Sequence, residues 1–288
     1  MISSELQKKI SALQLQVKKL LNGFLAGDYR SANKGYGLEF DQLRDYQMGD
    51  DIRFIDWKST ARMNKMLVKE YIHEHTKTVL IALDISASGL FGSTEALKRD
   101  IIAQIATVIT FATDYSKAHV GIILFSDSVE LYIPPKAGKS HINAILKNMW
   151  THIPKSKTTN IKVVLEFLAK ISKNDTLLFL ISDFIDSGFQ KELGMVSTRY
   201  DLVVIRCLDR FERQLPSVGF LNVEDSETGQ RLLIKLSKSN SALYKYFENR
   251  IKTQDNNFKK YGIDYLDIVS NKPFIDTLIH FFARRLLR

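Results

Sequence analysis

The chain has 288 residues, 45% hydrophobic and 25% charged, with 14 glycines and 5 prolines; it is long enough to bury a full core, and its composition excludes disordered, collagen-like and disulfide-rich classes. Its formal charge of +9 is spread along the whole chain, which argues against a dedicated nucleic-acid face. The single cysteine, Cys207, excludes an internal disulfide and a cysteine-based zinc site; it lies in the apolar run Val203–Leu208 and reads as a small core residue.

The N-terminus opens polar and continues as an amphipathic helix over residues 6–25, with Lys18 and Lys19 where a signal peptide would need an apolar region. No stretch approaches 18 uninterrupted apolar residues, so the expectation is a cytoplasmic protein without stable membrane insertion. A polar, glycine-containing stretch follows from Gly27 to Lys65. Thr78–Leu83 reads as a strand buried on both faces and ends in Asp84. Ser93 is placed to cap a helix carrying Leu97, Ile101, Ile105, Val108 and Ala112 at helical spacing. Val120–Phe125 is the next strand, and Val129–Ile133 its hairpin partner, closed by Pro134 and Pro135. Ile142, Ile145, Leu146 and Met149 mark one helix; Ile161, Val164, Leu165, Leu168 and Ile171 mark another. Two more apolar strands, Leu177–Ser182 and Leu202–Leu208, complete a β-α-β alternation that predicts an α/β fold with a doubly wound, mainly parallel sheet. Beyond it come a hairpin around Glu227-Thr228-Gly229 with Arg231–Lys235 as one strand, a helix near 241–260, and a last helix entered at Asn271-Lys272-Pro273, whose apolar arc (Phe274, Leu278, Phe281, Phe282) favours packing on the sheet's flank over the competing reading of its arginine-rich end, a helix lying on an anionic membrane. The chain thus reads as three parts: 1–77, a core at 78–210, and 211–288 completing the same domain.

Ligands of open α/β sheets bind at the carboxyl ends of the strands, and here those ends are acidic and hydroxylic. Asp84, Ser86 and Ser88 follow the first core strand, Asp183 follows Leu177–Ser182, and Thr159 stands just before the helix beginning at Ile161. Two carboxylates and three hydroxyls, with no nitrogen or sulfur, suit a hard cation, Mg²⁺ before others. Asp186 is the nearest competitor for a ligand, but it lies past the strand end and reads as a cap or a solvent-facing residue. This Asp-x-Ser-x-Ser, Thr, Asp arrangement resembles the metal-ion-dependent adhesion site of von Willebrand factor A domains. The resemblance implies that Asp84, Ser86, Ser88, Thr159 and Asp183 surround Mg²⁺ or Mn²⁺, with an open position for a partner's carboxylate. Gly89 after the last serine, and Lys157-Thr158 before the threonine, depart from that pattern without removing a ligand.

The stretch before the core carries Gly35-x-Gly37-x-Glu39-Phe40, then Gly49-Asp50-Asp51-x-Arg53-x-Ile55-Asp56-Trp57 and Ala61-Arg62. Together these resemble the signature of the domain-of-unknown-function 58 family, whose members join such a segment to a von Willebrand A-like domain. Many are encoded beside MoxR-type AAA+ ATPases, which implies a MoxR-type ATPase and a client protein as partners, with no reaction attached. Read from its residues alone, the stretch alternates Arg30, Arg44, Arg53 and Arg62 with Glu39, Asp41, Asp45, Asp50, Asp51 and Asp56, an ion-pair network laid over Tyr46, Phe54 and Trp57. Asp50, Asp51, Arg53, Asp56, Trp57 and Arg62 are candidates for scaffold or partner surface, and losing Arg53 or Asp56 from a partly buried pair is expected to cost more stability than changes at the metal site.

No nucleophile-base pair, P-loop or histidine cluster is visible, and His73-Glu74-His75 has only the spacing of a strand face. A metal-dependent protein-interaction module, not an enzyme, is therefore the leading expectation. The alternative is a Mg²⁺-dependent hydrolase or phosphotransferase built on Asp84, weakened because Ser86 stands where haloacid-dehalogenase-type phosphatases carry a second aspartate. A third reading, nucleic-acid binding through the eight lysines between Lys136 and Lys173, is weaker because Trp150 is the main aromatic there, so no nucleic-acid partner is expected.

Overall fold

The computed structural model describes residues 7–8, 10–15, 38–73, 78–90, 97–171, 175–213, 220–224, 231–235, 241–270 and 273–286. The chain divides into two compact units, one formed by residues 22–76 and the other by 1–21 with 77–288.

In the smaller unit, β1 (Leu38–Asp45) pairs antiparallel with β2 (Leu67–His73), with an irregularity between Phe40 and Gln42. A 3₁₀ turn (Ile52–Phe54) and helix α1 (Trp57–Met63) fill the connection. Asp51 accepts from the Arg53 amide and Asp56 from those of Lys58 and Ser59, so two of the acids are spent on helix starts. Two expectations are corrected here. The Arg53 side chain is 83% exposed and pairs with Asp51 only two residues away, which is a surface contact and not a partly buried bridge. Trp57 and Phe54 are exposed, and α1 buries none of its residues; the apolar contacts come instead from Ile55, Leu67 and Val68, with Ile55 bridging to Val68. Arg62 is exposed, and Arg44 makes a two-bond pair with Asp50 at 2.7 Å. Arg30, Gly35, Gly37, Glu74 and His75 lie outside the described residues, and nothing is described of the side chains of Glu39 and Asp41.

The larger unit is built on a six-stranded sheet of β3 (Thr78–Asp84), β4 (His119–Phe125), β5 (Val129–Lys136), β6 (Thr176–Ser182), β7 (Asp201–Leu208) and β10 (Asp264–Val269), in the order β10-β7-β6-β3-β4-β5. All neighbours are parallel except the edge pair β4–β5. Because alternate strand residues point to opposite faces, β3 sends Val79, Ile81 and Leu83 to one side and Leu80 and Ala82 to the other. The first face is covered by α2 (Lys98–Tyr115), α3 (Lys139–Thr151) and α8 (Phe274–Leu286). The second is covered by α4 (Ile161–Ile171), α5 (Gln190–Ser197) and α7 (Ser241–Lys260). Such a sheet, with every central residue buried from both sides, explains why its strands are nearly continuous apolar runs. The predicted arc of α8 does pack: Leu278 is buried, Phe274, Phe281 and Phe282 lie against the first cluster, and Arg285 pairs with Asp201 and Asp264.

Strand β5 runs through Pro134 and Pro135 instead of ending before them. It can do so because it is an edge strand and because its ladder with β4 shifts opposite Gly121, where an added Cβ would come within 2.8 Å of the Pro135 nitrogen. Helix α2 begins at Lys98 after Leu97, which offers no side-chain cap; Ser93, expected to cap it, lies outside the described residues. Residues 10–15 are helical and Leu13 joins the core, but 16–37 are not described. A short helix, α6 (Arg210–Arg213), follows β7, and β8 (Phe220–Glu224) pairs antiparallel with β9 (Arg231–Lys235), the expected hairpin, whose turn at 227–229 is outside the described residues. Among the described residues no helix is long and apolar enough to cross a membrane.

Candidate metal centre

Strand β3 leads through α2 to β4 on one flank, whereas its neighbour β6 leads through α5 to β7 on the other. Adjacent strands whose onward connections diverge open a crevice at their carboxyl ends, the usual ligand position in open α/β sheets. Asp84 is the last residue of β3 and Asp183 follows β6, so the topology itself brings together the two carboxylates singled out from the sequence.

Their hydrogen bonds fix them. Asp84 Oδ1 accepts from the Ser86 amide at 3.0 Å and Oδ2 from the Ser182 hydroxyl at 2.6 Å. The Ser86 and Ser88 hydroxyls are 2.9 Å apart, and both serines are buried, as are Asp84 and Asp183. Thr159 is half-buried in a loop that docks on the same edge, where the Ala87 amide donates to the Lys157 carbonyl at 3.0 Å and the Asn160 amide to the Ser126 carbonyl at 2.9 Å. Lys157 is exposed, while Gly89 turns back to donate to the Ser86 carbonyl. Glu130 organises that loop from beneath: it accepts from the Ser126 hydroxyl, from His152 Nε2 at 2.8 Å and from the Lys155 amide. Burial works against its charge, but these bonds prevail and hold its carboxyl below the ordinary glutamate value. Asp186 is no ligand here; its Oδ2 accepts from the Ile161 amide at 2.7 Å and so caps α4.

Three polar residues of the crevice are not evident from the strand-end pattern. Lys98 is 1% exposed and donates to Asp183 Oδ2 at 2.8 Å and to Glu212 Oε1 at 3.1 Å. Ser182 ties β6 to Asp84. Glu212 is held by its other oxygen, which accepts from the Asp209 amide at 2.8 Å, while Asp209 Oδ1 accepts from Phe211. The Asp-x-x-Glu spacing of that reciprocal pair is a capping-box signal, and Lys98 stands on the same helical stripe as Ile101, Ile102 and Ile105. Burial opposes the Lys98 charge, yet Asp183 and Glu212 keep it raised above the ordinary lysine value.

Behind the crevice, Arg206 of β7 is fully buried and donates to Asp267 Oδ1 (2.9 Å), Asp255 Oδ1 (2.7 Å) and Gln254 Oε1 (2.8 Å). Gln254 in turn donates to the Phe184 carbonyl at 2.7 Å. Phe184 sits at φ 55°, a left-handed conformation that a bulky residue adopts only when its surroundings enforce it, and this turn sets the direction of Asp183. Burial pushes the Cys207 thiol up, which leaves it an inert core group.

Carboxylates and hydroxyls, without nitrogen or sulfur, are the donor chemistry that a hard cation would take. Burial, reinforced by the charge of Asp183, pushes the Asp84 carboxyl up to about 7. Among the described residues, no group of three or more histidine, cysteine or acidic side chains forms a metal cluster, so hydroxyls would supply much of any coordination. Asp84, Ser86, Ser88 and Asp183 are the residues whose hydrogen bonds gather them at this edge, while Thr159 stands on the loop that docks beside them.

The class defined by fold and crevice is a mixed α/β protein with a mostly parallel six-stranded sheet flanked by helices. The chain belongs to the family described as protein of unknown function DUF58, which matches residues 42–257. It is 28% identical over 228 residues to the uncharacterized proteins Rv1480 of Mycobacterium tuberculosis and Mb1516 of Mycobacterium bovis, covering 78% of this chain and 72% of theirs. Among solved structures it is similar to the conserved hypothetical protein BatB from Bacteroides thetaiotaomicron (13% identity, 74% of this chain and 100% of that one, TM-score 0.46). It is also similar to an aerotolerance-related membrane protein from Bacteroides fragilis (15% identity, 73% and 99%, TM-score 0.48).

Proposed function

We propose that this protein is a metal-dependent protein-interaction module of von Willebrand A-like type, cytoplasmic, that works with a MoxR-type AAA+ ATPase and a client protein. The observation that carries the reading is the buried Asp84–Asp183 pair at the divergence of β3 and β6, with Ser86 and Ser88 beside it. A bound Mg²⁺ or Mn²⁺ would supply a Lewis-acidic point able to accept a carboxylate from the partner. The chain's own residues orient the oxygens: Ser182 fixes Asp84, Gln254 fixes the turn after Asp183, and Glu130 fixes the loop that bears Thr159. The family resemblance of residues 35–62 supports the ATPase partner, and the lone buried cysteine suits a reducing compartment.

Calorimetric titration of the full chain with Mg²⁺ and Mn²⁺ tests the centre. Asp84→Ala should fold and lose binding, because this side chain ends a strand in the crevice and does not fill the core; unchanged affinity would remove the site assignment. Retention of a MoxR-type ATPase in a pull-down that depends on Mg²⁺ supports the partner, whereas Asp84-dependent phosphate release from generic phosphomonoesters would favour the hydrolase reading.

A further inference from the structure

Among the described residues of the crevice, Lys98 is the charged group that a cation centre does not call for. Its ammonium stands between Asp183 and Glu212, and it shares Asp183 with any cation that enters. It is not loosely placed: Lys98 is the first residue of α2, and Glu212 is anchored through its second oxygen to the Asp209 amide. Asp183 is likewise engaged on both sides, Oδ2 by Lys98 and Oδ1 by the Ile185 amide at 3.1 Å. A buried ion pair whose only task is to hold elements together has no reason to use a carboxylate of the crevice. Here one ammonium serves two carboxylates, with the carboxyl of Asp84 close enough to feel the charge of Asp183.

Building on the proposed function, we propose that Lys98 is a tethered counter-cation that sets how tightly the crevice holds a divalent ion, with Glu212 drawing part of its charge away from Asp183. Mutual repulsion between the ammonium and the ion weakens binding, while the ammonium keeps the carboxylates compensated when the ion leaves, so metal exchange does not threaten the fold. The protein is thereby suited to an ion that comes and goes with its partner.

The test is titration of the full chain with Mn²⁺ alone, and with Mg²⁺ alone. Lys98→Met should bind the ion at least about tenfold more tightly, Glu212→Gln at least severalfold more weakly, and Lys98→Arg close to the unaltered chain. A merely structural Lys98 would make both Lys98→Met and Glu212→Gln weaker, or move neither, and either result overturns the inference. Should Lys98→Met fail to fold, Lys98→Gln takes its place: tighter binding than the unaltered chain supports the proposal, unchanged or weaker binding overturns it. Asp84→Ala separates the two levels. If it binds as the unaltered chain does, the centre itself is misassigned and the inference falls with it; if it loses binding while the charge variants do not split, only the role of Lys98 is wrong.

Discussion

The two units use the same chemistry, acids paired with bases, to opposite ends. In residues 22–76, Arg53 pairs with Asp51 two residues away and open to solvent, and Arg44 with Asp50 six residues away and half-buried. In the larger unit Lys98 reaches Asp183 and Glu212, 85 and 114 residues distant, and Arg206 reaches Asp255 and Asp267, with both cations buried. Local pairs shape a turn and add little to stability, whereas a buried cation that bridges remote elements must keep its partners because a stranded ammonium or guanidinium there has no water to turn to. Sequence separation and burial, more than the residues themselves, tell which kind a pair is.

The contrast is sharpest at Arg206. Arg206→Ala should cost roughly 3–5 kcal/mol in chemical denaturation, because Asp255 and Asp267 lose their shared cation and Gln254 its partner. A loss below about 1 kcal/mol would put this buried network on a par with the surface pairs and break the comparison.

An intermediate effect is expected at Glu130, whose partners lie 4, 22 and 25 residues away. Its folded-state carboxyl is held below the ordinary glutamate value, so the stability it lends is full above that value and is lost as the pH falls through the depressed one. Thermal melts of Glu130→Gln should show a deficit at neutral pH that shrinks below about pH 4. A deficit that grows on acidification would reverse the sign and show that the carboxylate is not what holds the loop.

The smallest effect is expected at Arg53. Arg53→Ala should leave the melting temperature unchanged, while Asp56→Ala, which removes the cap of α1, should lower it modestly. If Arg53→Ala instead abolishes binding of a partner without moving the melt, its role is as an interface residue.

The sheet was legible where burial is two-sided: β3, β4, β6 and β7 are apolar runs because both of their faces meet helices, and the buried residues of α3 are the four that periodicity picks out, Ile142, Ile145, Leu146 and Met149. The missed elements are those whose pattern is diluted. β10 carries Asp264 and Asp267, one to hold Arg285 and the other Arg206; β1 and β2 are broken by charged residues (Glu39, Asp41, Arg44 and Asp45; Lys69 and Glu70); α5 is eight residues long and contains Gly194, packed so closely on Tyr261 that an added Cβ would meet the ring at 2.7 Å. At the candidate site the strand-end oxygens could be read from position alone. Lys98 could not, because a lysine opening a helix ordinarily faces water, and the reason it does not is a glutamate 114 residues away.

The strand order also bears on how the protein is made. β6 docks on β3, and the bond from Ser182 to Asp84 spans 98 residues, with β4 and β5 lying on β3's other side. During translation at about 5–20 residues per second, one edge of β3 therefore waits roughly 5–20 s for its neighbour. The apolar residues of β3 on that edge lack the cover that β6 and its helices later give them, which makes the interval an opportunity for edge-to-edge pairing between nascent chains and for chaperone capture. The crevice cannot exist before that interval closes, so its assembly marks the moment when the sheet is complete on both sides of β3.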